Sequence, residues 1–282
     1  MVNQDKLLSI IIVSFRNFDV LGDCLNSIAR FNDLGDMLET IVVEQSEDKN
    51  SPIRIQSEWP WTKVIPNHNV GFGGGNNRGA AEAHGKYLLL LNPDTLIVEP
   101  VFSFAIEQFS HDQSLGAFGV RLLDQRGQRN RSFHFRKPYG LFRSAFWRTC
   151  DRFEWFLPQS MYIAGADLFV RASAYHRIGG FDERMFMYFE ETYLCSRLND
   201  AGFKIGYFPQ KHIVHLEGQS SAGINTLEHQ IESLRYLCED TGTSYTRILR
   251  LMKRDRVIKT HLGSDRSSEI ALIDEVLSKE AK

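Results

Sequence analysis

No stretch of this 282-residue chain approaches the roughly 20 consecutive apolar residues that a membrane-spanning helix requires. The first apolar run, residues 7–13, is too short for a secretory leader and follows Asp5, so no signal peptide is expected. Positive charge is not in excess: 33 Lys and Arg face 35 Asp and Glu, for a net charge of −2. That balance excludes a generally basic nucleic-acid binder and leaves room only for local basic patches. Paired cysteines are missing as well. Cys24, Cys150, Cys195 and Cys238 stand far apart with no Cys-x-x-Cys, so buried, reduced thiols in a cytoplasmic protein are expected. There is no internal repeat and no low-complexity segment. The glycine cluster Gly71-Phe72-Gly73-Gly74-Gly75 lacks the usual phosphate-binding forms. A dinucleotide fingerprint would need Gly where Asn76 stands, and no Gly-Lys-Ser/Thr follows.

What is present is an alternation of strand-like and helix-like segments. At 43% hydrophobic and 24% charged, the composition is ordinary for a soluble globular protein. The length suits one large α/β domain with an appendage, or two small domains. Residues 8–14 read as a buried strand, β-branched on both faces. A helix is expected at 20–31, where Leu21, Leu25 and Ile28 share a face, and strands at 40–43 and 61–65, with a polar turn at 46–51. The glycine cluster opens a helix through Ala83, stopped by Gly85. Strands follow at 87–91, broken by Pro93, and at 117–120, with a helix at 101–109 between them. Residues 125–160, rich in Arg and aromatics, break the pattern and are expected as an inserted flap rather than sheet. A strand at 161–170, helices at 172–178 and 190–201, and short strands at 204–208 and 212–215 complete the body. The tail beyond Thr226 is helical and charged. Such alternation predicts a parallel sheet with helices on both faces. Ligands of such sheets sit beyond the carboxyl ends of the strands. Ser14, Glu44, residues 67–75 and residues 92–94 all fall at such ends.

Four pieces carry the chemistry: the glycine cluster with Asn76 and Asn77, Leu91-Asn92-Pro93-Asp94-Thr95, the stretch from Gly180 to Glu191, and His215-Leu216-Glu217-Gly218-Gln219-Ser220. A Gly-rich turn, a strand-end carboxylate, paired carboxylates and a late histidine point to metal-assisted chemistry on a phosphorylated substrate. The glycines permit close backbone approach to a ligand or left-handed turns, and a purely structural turn accounts for them equally well. A single carboxylate such as Asp94 suits a divalent cation held partly by a diphosphate, whereas Asn-Pro-Asp in isolation reads as a turn. Glu190 and Glu191 open a helix, where acidic residues also complement the helix dipole. Glu191 aligns with Leu194, Leu198 and Ala201, so it is expected to be partly desolvated, with its pKa raised toward a general base's range. Glu190 points about 100° away and is assigned to orienting the base or binding a sugar hydroxyl. A lone histidine is more often structural, but His215 can complete the metal shell begun by Asp94. His212 points to the other face and is the weaker candidate.

Together these pieces resemble the inverting family 2 glycosyltransferases of the GT-A fold, specifically the rhamnosyltransferase-like branch of bacterial polysaccharide assembly. The similar features run from Ser9 to Ser221. They include Ile10-Ile11-Ile12-Val13-Ser14, Asn69-Val70 with the glycine cluster through Gly79, Leu91-Asn92-Pro93-Asp94 and Gly165-Ala166. Gly179-Gly180-Phe181-Asp182-Glu183-Arg184, Tyr188-Phe189-Glu190-Glu191 and the His215 segment complete the set. The resemblance implies a Rossmann-like, mostly parallel α/β sheet flanked by helices at residues 1–224, with 125–160 inserted on the acceptor side. A helical extension occupies 225–282. It implies a nucleotide-diphosphate sugar donor, dTDP- or UDP-linked, with base and ribose near Ser14, Phe15, Arg16 and Glu44. Asn69, Gly71, Phe72, Gly75, Asn76, Asn92, Gly165, Ala166 and Asp167 would contribute to the nucleotide-sugar site. Asp94 matches the second acid of the family's DxD motif, with Asn92 in place of the first, and would hold Mg²⁺ or Mn²⁺ against the diphosphate. His215 matches a diphosphate or metal contact. Glu191 matches the catalytic base, with Glu190 beside it. The implied reaction transfers rhamnose or another deoxyhexose to a polysaccharide or lipid-linked glycan.

The chain departs from the pattern in three places. Glu44-Gln45 replaces Asp-Asn, Glu190-Glu191 replaces Glu-Asp, and Tyr193 stands where the motif's second acid falls. A non-catalytic nucleotide-sugar- or glycan-binding protein on the same scaffold is the alternative that these changes leave open. In 125–160, aromatic faces suit sugar rings and Arg suits a lipid-linked diphosphate, while a packed flap with a solvated basic rim fits equally. In the tail, Tyr245, Ile248, Leu249 and Met252 form an apolar stripe flanked by Arg247, Arg250, Lys253, Arg254 and Arg256. Such a stripe is expected either to rest on an anionic membrane, at the inner face of the plasma membrane, or to pack on the body or on a second subunit of a homodimer.

Overall fold

The computed structural model describes residues 6–136, 141–216, 226–261 and 263–280. The chain begins β1 (Leu8–Ser14), α1 (Phe18–Arg30), β2 (Leu38–Glu44), α2 (Ser51–Glu58), β3 (Lys63–Pro66), α3 (Gly71–Ala80) and β4 (Tyr87–Leu91). β1 pairs in parallel with β2 and β4, and β2 with β3, so the first three crossings are strand–helix–strand units. There follow β5 (Thr95–Ile97), α4 (Phe102–His111), β6 (Leu115–Leu123), β7 (Phe133–Phe135), α5 (Leu141–Phe153), β8 (Met161–Ile163) and β9 (Asp167–Arg171). The body closes with α6 (Ala172–Arg177), α7 (Glu190–Asp200) and β10 (Lys204–His215), and the tail is α8 (Thr226–Thr241), α9 (Tyr245–His261) and α10 (Ser267–Lys279). The main sheet has eight strands in the order β3-β2-β1-β4-β9-β6-β10-β5.

Helices cover both faces because the central strands are apolar on both. Along β1, Ile10 and Ile12 join one core with Leu21, Leu25 and Ile28 of α1 and Phe102 and Phe109 of α4. Ile11 joins the other core, with Ala80, Tyr175, Leu194 and Leu198. A period of two in a fully buried strand gives each face its own set of side chains. The sheet is not wholly parallel. β9 runs antiparallel to both β4 and β6, and β5 antiparallel to β10.

Several local expectations need correction. α2 begins at Ser51, the last residue of the expected polar turn, and fills the stretch before β3 for which no helix is expected. Pro52 sits in its first turn and Ile55 alone is fully buried, so no apolar periodicity marks it. The strand expected at 161–170 is two strands: β8 pairs with β7 in a separate two-stranded sheet and β9 enters the main sheet, divided at Gly165. The flap therefore contains sheet, in β7. Residues 204–215 form one strand, with its register shifted between Phe208 and His212, where Pro209 cannot donate to the ladder. β5 begins at Thr95, immediately after Pro93 and Asp94, where only a strand end is expected.

The tail has its own core. Leu249 and Met252 of α9 are buried with Leu227, Ile231, Leu234 and Cys238 of α8 and Ile273 of α10. Tyr245 and Ile248 pack against the same cluster, so the apolar stripe faces inward rather than toward a membrane or a second subunit. The boundary expected at 224/225 lies outside the described residues. Among the described residues no helix is long and apolar enough to cross a membrane.

Gly79 of α3 has no room for a side chain: a Cβ there would meet Ile11 of β1 and come within 3.2 Å of Val43 of β2. Gly79→Ala should therefore cost about 1–3 kcal/mol through overpacking. A thermal-shift measurement should show a fall of several degrees, and an unchanged midpoint would contradict this close packing.

Candidate active site

The carboxyl ends of β1, β2 and β4 open into a cleft of about 260 Å³, whose remaining walls come from the loop into α3 and its first turn, the loop before α7, the first turn of α7 and the end of β10. Of the expected residues, Phe15, Asn69, Gly71, Phe72, Asn92, Asp94, Glu190, Glu191 and His215 line it. Residues more than 120 positions apart in sequence thus share one wall-to-wall space.

The two carboxylates are its most unusual feature. Glu190 is 3% exposed, whereas Glu191 is half-buried, so the more deeply buried partner is the first and not the second. Burial pushes the Glu191 carboxyl up to about 7. Glu190 lies well above the usual carboxylate range, through burial first and then the negative charge of Glu191. Two adjacent acids removed from water cannot both ionise cheaply, so one proton is retained by the pair near neutrality. Glu190 Oε2 has no hydrogen-bond partner among the described residues. Gly165 explains how Glu191 fits: a Cβ at this position would land on the Glu191 carboxylate. Ala166, next in the chain, accepts a hydrogen bond from the Asn92 N–H at 3.1 Å, tying this segment to the end of β4.

The backbone entering α7 is unusual too. Tyr188 and Phe189 both take left-handed conformations, with φ of 73° and 69°. For bulky residues this costs on the order of 1–3 kcal/mol each and persists only where the surroundings enforce it. Part of the enforcement comes from the glycine cluster. The Phe72 N–H donates to the Phe186 carbonyl at 3.1 Å, and Gly71, at φ 81°, lies so close to that carbonyl that a Cβ would strike it.

Asp94 and His215 face each other across the other wall, with His215 Nε2 3.3 Å from Asp94 Oδ1. The antiparallel pairing of β5 with β10 sets this distance. Thr95 is registered opposite His215, and the Leu216 N–H donates to the Asp94 carbonyl at 2.8 Å. Neighbouring donors on an octahedral shell of about 2.1 Å radius lie about 3 Å apart, so carboxylate and imidazole are placed to share one divalent cation. Among the described residues no group of three or more His, Cys, Asp or Glu stands close enough together to hold a metal ion, so the protein would contribute few ligands and substrate oxygens or water the rest. Glu217, Gly218, Gln219 and Ser220 lie outside the described residues.

Other expected residues do not line the cleft. The Ser14 hydroxyl donates to Asn17 Oδ1 at 3.0 Å. Arg16 is exposed, its guanidinium 5.0 Å from the Phe15 ring centre. Glu44 is buried and accepts from the Ser46 N–H at 2.8 Å. Gly75 packs against Val13 and Gln45, and Asn76, 1% exposed, donates to the Phe72 carbonyl at 3.0 Å. Asp167 is fully buried and accepts from the Val120 N–H at 2.8 Å, and burial holds its pKa well above the ordinary value. It does not reach the cleft. Conversely, Val13, Asn17 and Gln45 line the cleft without an expected role, and so do Pro93, Phe186, Met187 and Tyr188, which lie within the segments singled out above but carry no individual role there. Gln45 carried a signal, since it departs from the family pattern. Its longer amide bridges the loop, donating to the Gly71 carbonyl at 3.0 Å and accepting from the Val70 N–H at 2.9 Å.

The family profile described as Glycosyl transferase family 2 matches residues 9–177, more than half of the chain. The chain belongs to this family. The match runs from β1 through β9, includes Asp94, and stops before Glu190, Glu191 and the last sheet strand, β10, with His215. Over 211 residues the chain is 25% identical to an N-acetylglucosaminyl-diphospho-decaprenol L-rhamnosyltransferase of Mycobacterium tuberculosis, covering 65% of this chain and 68% of that one. Among solved structures, a mannosyltransferase of Pyrobaculum calidifontis in complex with GDP-Man and Mn²⁺ superposes with a TM-score of 0.60 at 14% identity, covering 98% of this chain and 81% of that one. GalNAc-T7 with UDP, GalNAc and Mn²⁺ superposes with a TM-score of 0.60 at 14% identity, covering 83% of this chain. The match spans about half, 48%, of the GalNAc-T7 chain. At these identities the likeness shows the fold, GT-A, as expected from the sequence.

For this family 2 glycosyltransferase the buried acids have a consequence for stability. A carboxyl whose folded pKa is raised favours folding below its unfolded pKa, near 4.5, and that contribution is lost as pH rises through about 7. Glu191→Gln removes the titration. The midpoint difference between Glu191→Gln and wild type should therefore shift in the variant's favour between pH 5 and pH 8. A difference that is flat with pH would show that Glu191 is not desolvated.

Proposed function

We propose that this chain is an inverting, metal-dependent glycosyltransferase that moves a deoxyhexose, foremost rhamnose from a dTDP-linked donor, onto a polysaccharide or lipid-linked glycan. The observation that carries this reading is the meeting, in one cleft, of a raised carboxylate pair with the Asp94–His215 pair. The relative of Mycobacterium tuberculosis named as a rhamnosyltransferase supports the choice of sugar.

The acceptor hydroxyl attacks the anomeric carbon as the bond from that carbon to the diphosphate oxygen breaks. The leaving nucleoside diphosphate takes the electron pair, and Glu191 takes the hydroxyl proton. A base with pKa near 7 suits this at neutral pH. Glu190 keeps its proton, and its unpartnered Oε2 suits a sugar hydroxyl. Asp94 and His215 would hold Mg²⁺ or Mn²⁺, which when bound neutralises charge on the leaving diphosphate. Phe15 and Asn69, on the wall formed by the sheet, suit the nucleotide. On the acceptor side, Phe153 and Trp155 are each 56% exposed and stack with ring centres 5.2 Å apart, beside exposed Arg148 and Arg152. Stacking faces and guanidinium groups suit a glycan joined to a lipid diphosphate. This surface, rather than the buried stripe of α9, would meet an anionic membrane at the inner face of the plasma membrane.

Calorimetry with dTDP, UDP, GDP and their sugar conjugates, in Mn²⁺ and in EDTA, tests the reading. One nucleotide should bind in Mn²⁺ and be lost in EDTA, and Asp94→Asn should weaken that binding. Glu191→Gln should keep donor binding and lose roughly 10²- to 10⁴-fold in kcat, and wild-type kcat/KM should rise with pH through about 7. If no nucleoside diphosphate binds in the presence of metal, the reading fails.

Gly165→Ala gives a second check. Pushing the Glu191 carboxylate aside by even about 1 Å should cost on the order of 100-fold in kcat with donor affinity retained. Wild-type turnover in this variant would remove Glu191 from the role of base.

A further inference from the structure

The segment 182–189 is gripped from both sides, and only one grip belongs to the sheet domain. The Phe72 N–H holds the Phe186 carbonyl, with Gly71 packed close against it. The opposite grip comes from α8. Ser233, 1% exposed, donates its hydroxyl to the Met187 carbonyl at 2.8 Å. Phe189, one of the two left-handed aromatic residues, packs into the core that α8 shares with α9 and α10. The Phe186 ring lies 4.6 Å from that of His229. Arg184 pairs with both Asp182 and Asp240 and lies 5.2 Å over the Tyr236 ring. Every one of these α8 contacts falls on the few residues before Glu190, and Met187 and Tyr188 themselves line the cleft.

A left-handed pair of aromatic residues does not hold itself, and relaxing either residue would turn the first residues of α7. We propose that α8 is a positioning element of the catalytic site, in which Ser233 fixes the Met187 carbonyl and thereby aims Glu190 and Glu191 into the cleft. The helical extension is then part of the active site's frame rather than an appendage. This deepens the glycosyltransferase reading and rests on it for the catalytic assay alone.

The test uses the full chain as wild type, Ser233→Ala, Ser233→Thr and the surface variant Asp240→Asn, which loosens the Arg184 tether without touching the core. Release of dTDP from dTDP-linked rhamnose gives kcat and KM. Glutamate ¹³C NMR of the unliganded protein, assigned with Glu191→Gln, follows the carboxyl titration whether or not turnover occurs. Ser233→Ala should lower kcat roughly 10- to 100-fold with donor KM within about twofold. It should also move the Glu191 titration down toward the ordinary range as water enters. Ser233→Thr, which keeps the hydroxyl, should recover most of both, and Asp240→Asn should show the same changes in smaller measure. The proposal is overturned if Ser233→Ala and Asp240→Asn leave kcat and the titration at wild-type values. It is equally overturned if kcat falls only together with donor affinity and thermal midpoint, as in general loosening. A wild type without turnover on any donor would sink the function proposed above, and the NMR titration would still decide the role of Ser233.

Discussion

Keeping two adjacent carboxylates out of water at the start of one helix is the constraint around which the rest of this structure is arranged. Isolated, the pair would be costly, because desolvation and mutual repulsion add. The structure offsets that cost in several ways. The amino end of α7 offers its dipole to both acids. Gly165 leaves the space that the Glu191 carboxylate occupies. The left-handed turn at Tyr188 and Phe189 delivers the chain to that position, and it is enclosed between the glycine cluster and α8. What results is a site in which one carboxyl retains its proton while the other is poised near neutrality.

The second requirement, a place for phosphate charge, is met by sheet topology. The Asp94–His215 distance follows from the short antiparallel pairing of β5 with β10. β9, inserted antiparallel between β4 and β6, serves the first site instead, since it carries the chain from Gly165 back through the sheet. Both antiparallel elements therefore adapt a parallel sheet so that residues from the two halves of the chain face one cleft. A wholly parallel sheet would leave every strand end pointing at the same rim with nothing opposite it.

The glycine cluster shows how one motif serves two ends. Gly71 takes a positive φ beside the cleft, while Gly75 and Gly79 let α3 lie directly on β1 and β2. Gln45, which departs from the family pattern, is consistent with this arrangement: its extra methylene lets the amide reach across to both Val70 and Gly71. The side chain that departs from the family pattern is spent on bracing the loop.

The alternation of β1 through β4 with three helices was open to reading because apolar runs and turn residues are local signals, and Leu21, Leu25 and Ile28 fell on one buried face as their spacing predicts. Asp94, Glu190, Glu191 and His215 were identifiable as chemistry-bearing residues from type and motif. That they meet is implied by the resemblance, whereas the distances and the burial at which they do so are not readable from the residues alone. α2 escaped notice because one buried isoleucine makes no period, and 161–170 looked continuous because what requires a glycine at 165 is a carboxylate 26 positions away. The stripe on α9 is as apolar as a membrane-facing stripe would be, and only its neighbours reveal that it is buried. Sequence by itself determined which segments bury both faces, which residues can ionise or bind a cation, and which family they belong to, since these follow from side-chain chemistry and short-range spacing. Tertiary structure alone decided which acid is the more deeply buried, how close His215 comes to Asp94, and that a tail helix touches the segment before Glu190, since desolvation and distance depend on what the rest of the chain brings close.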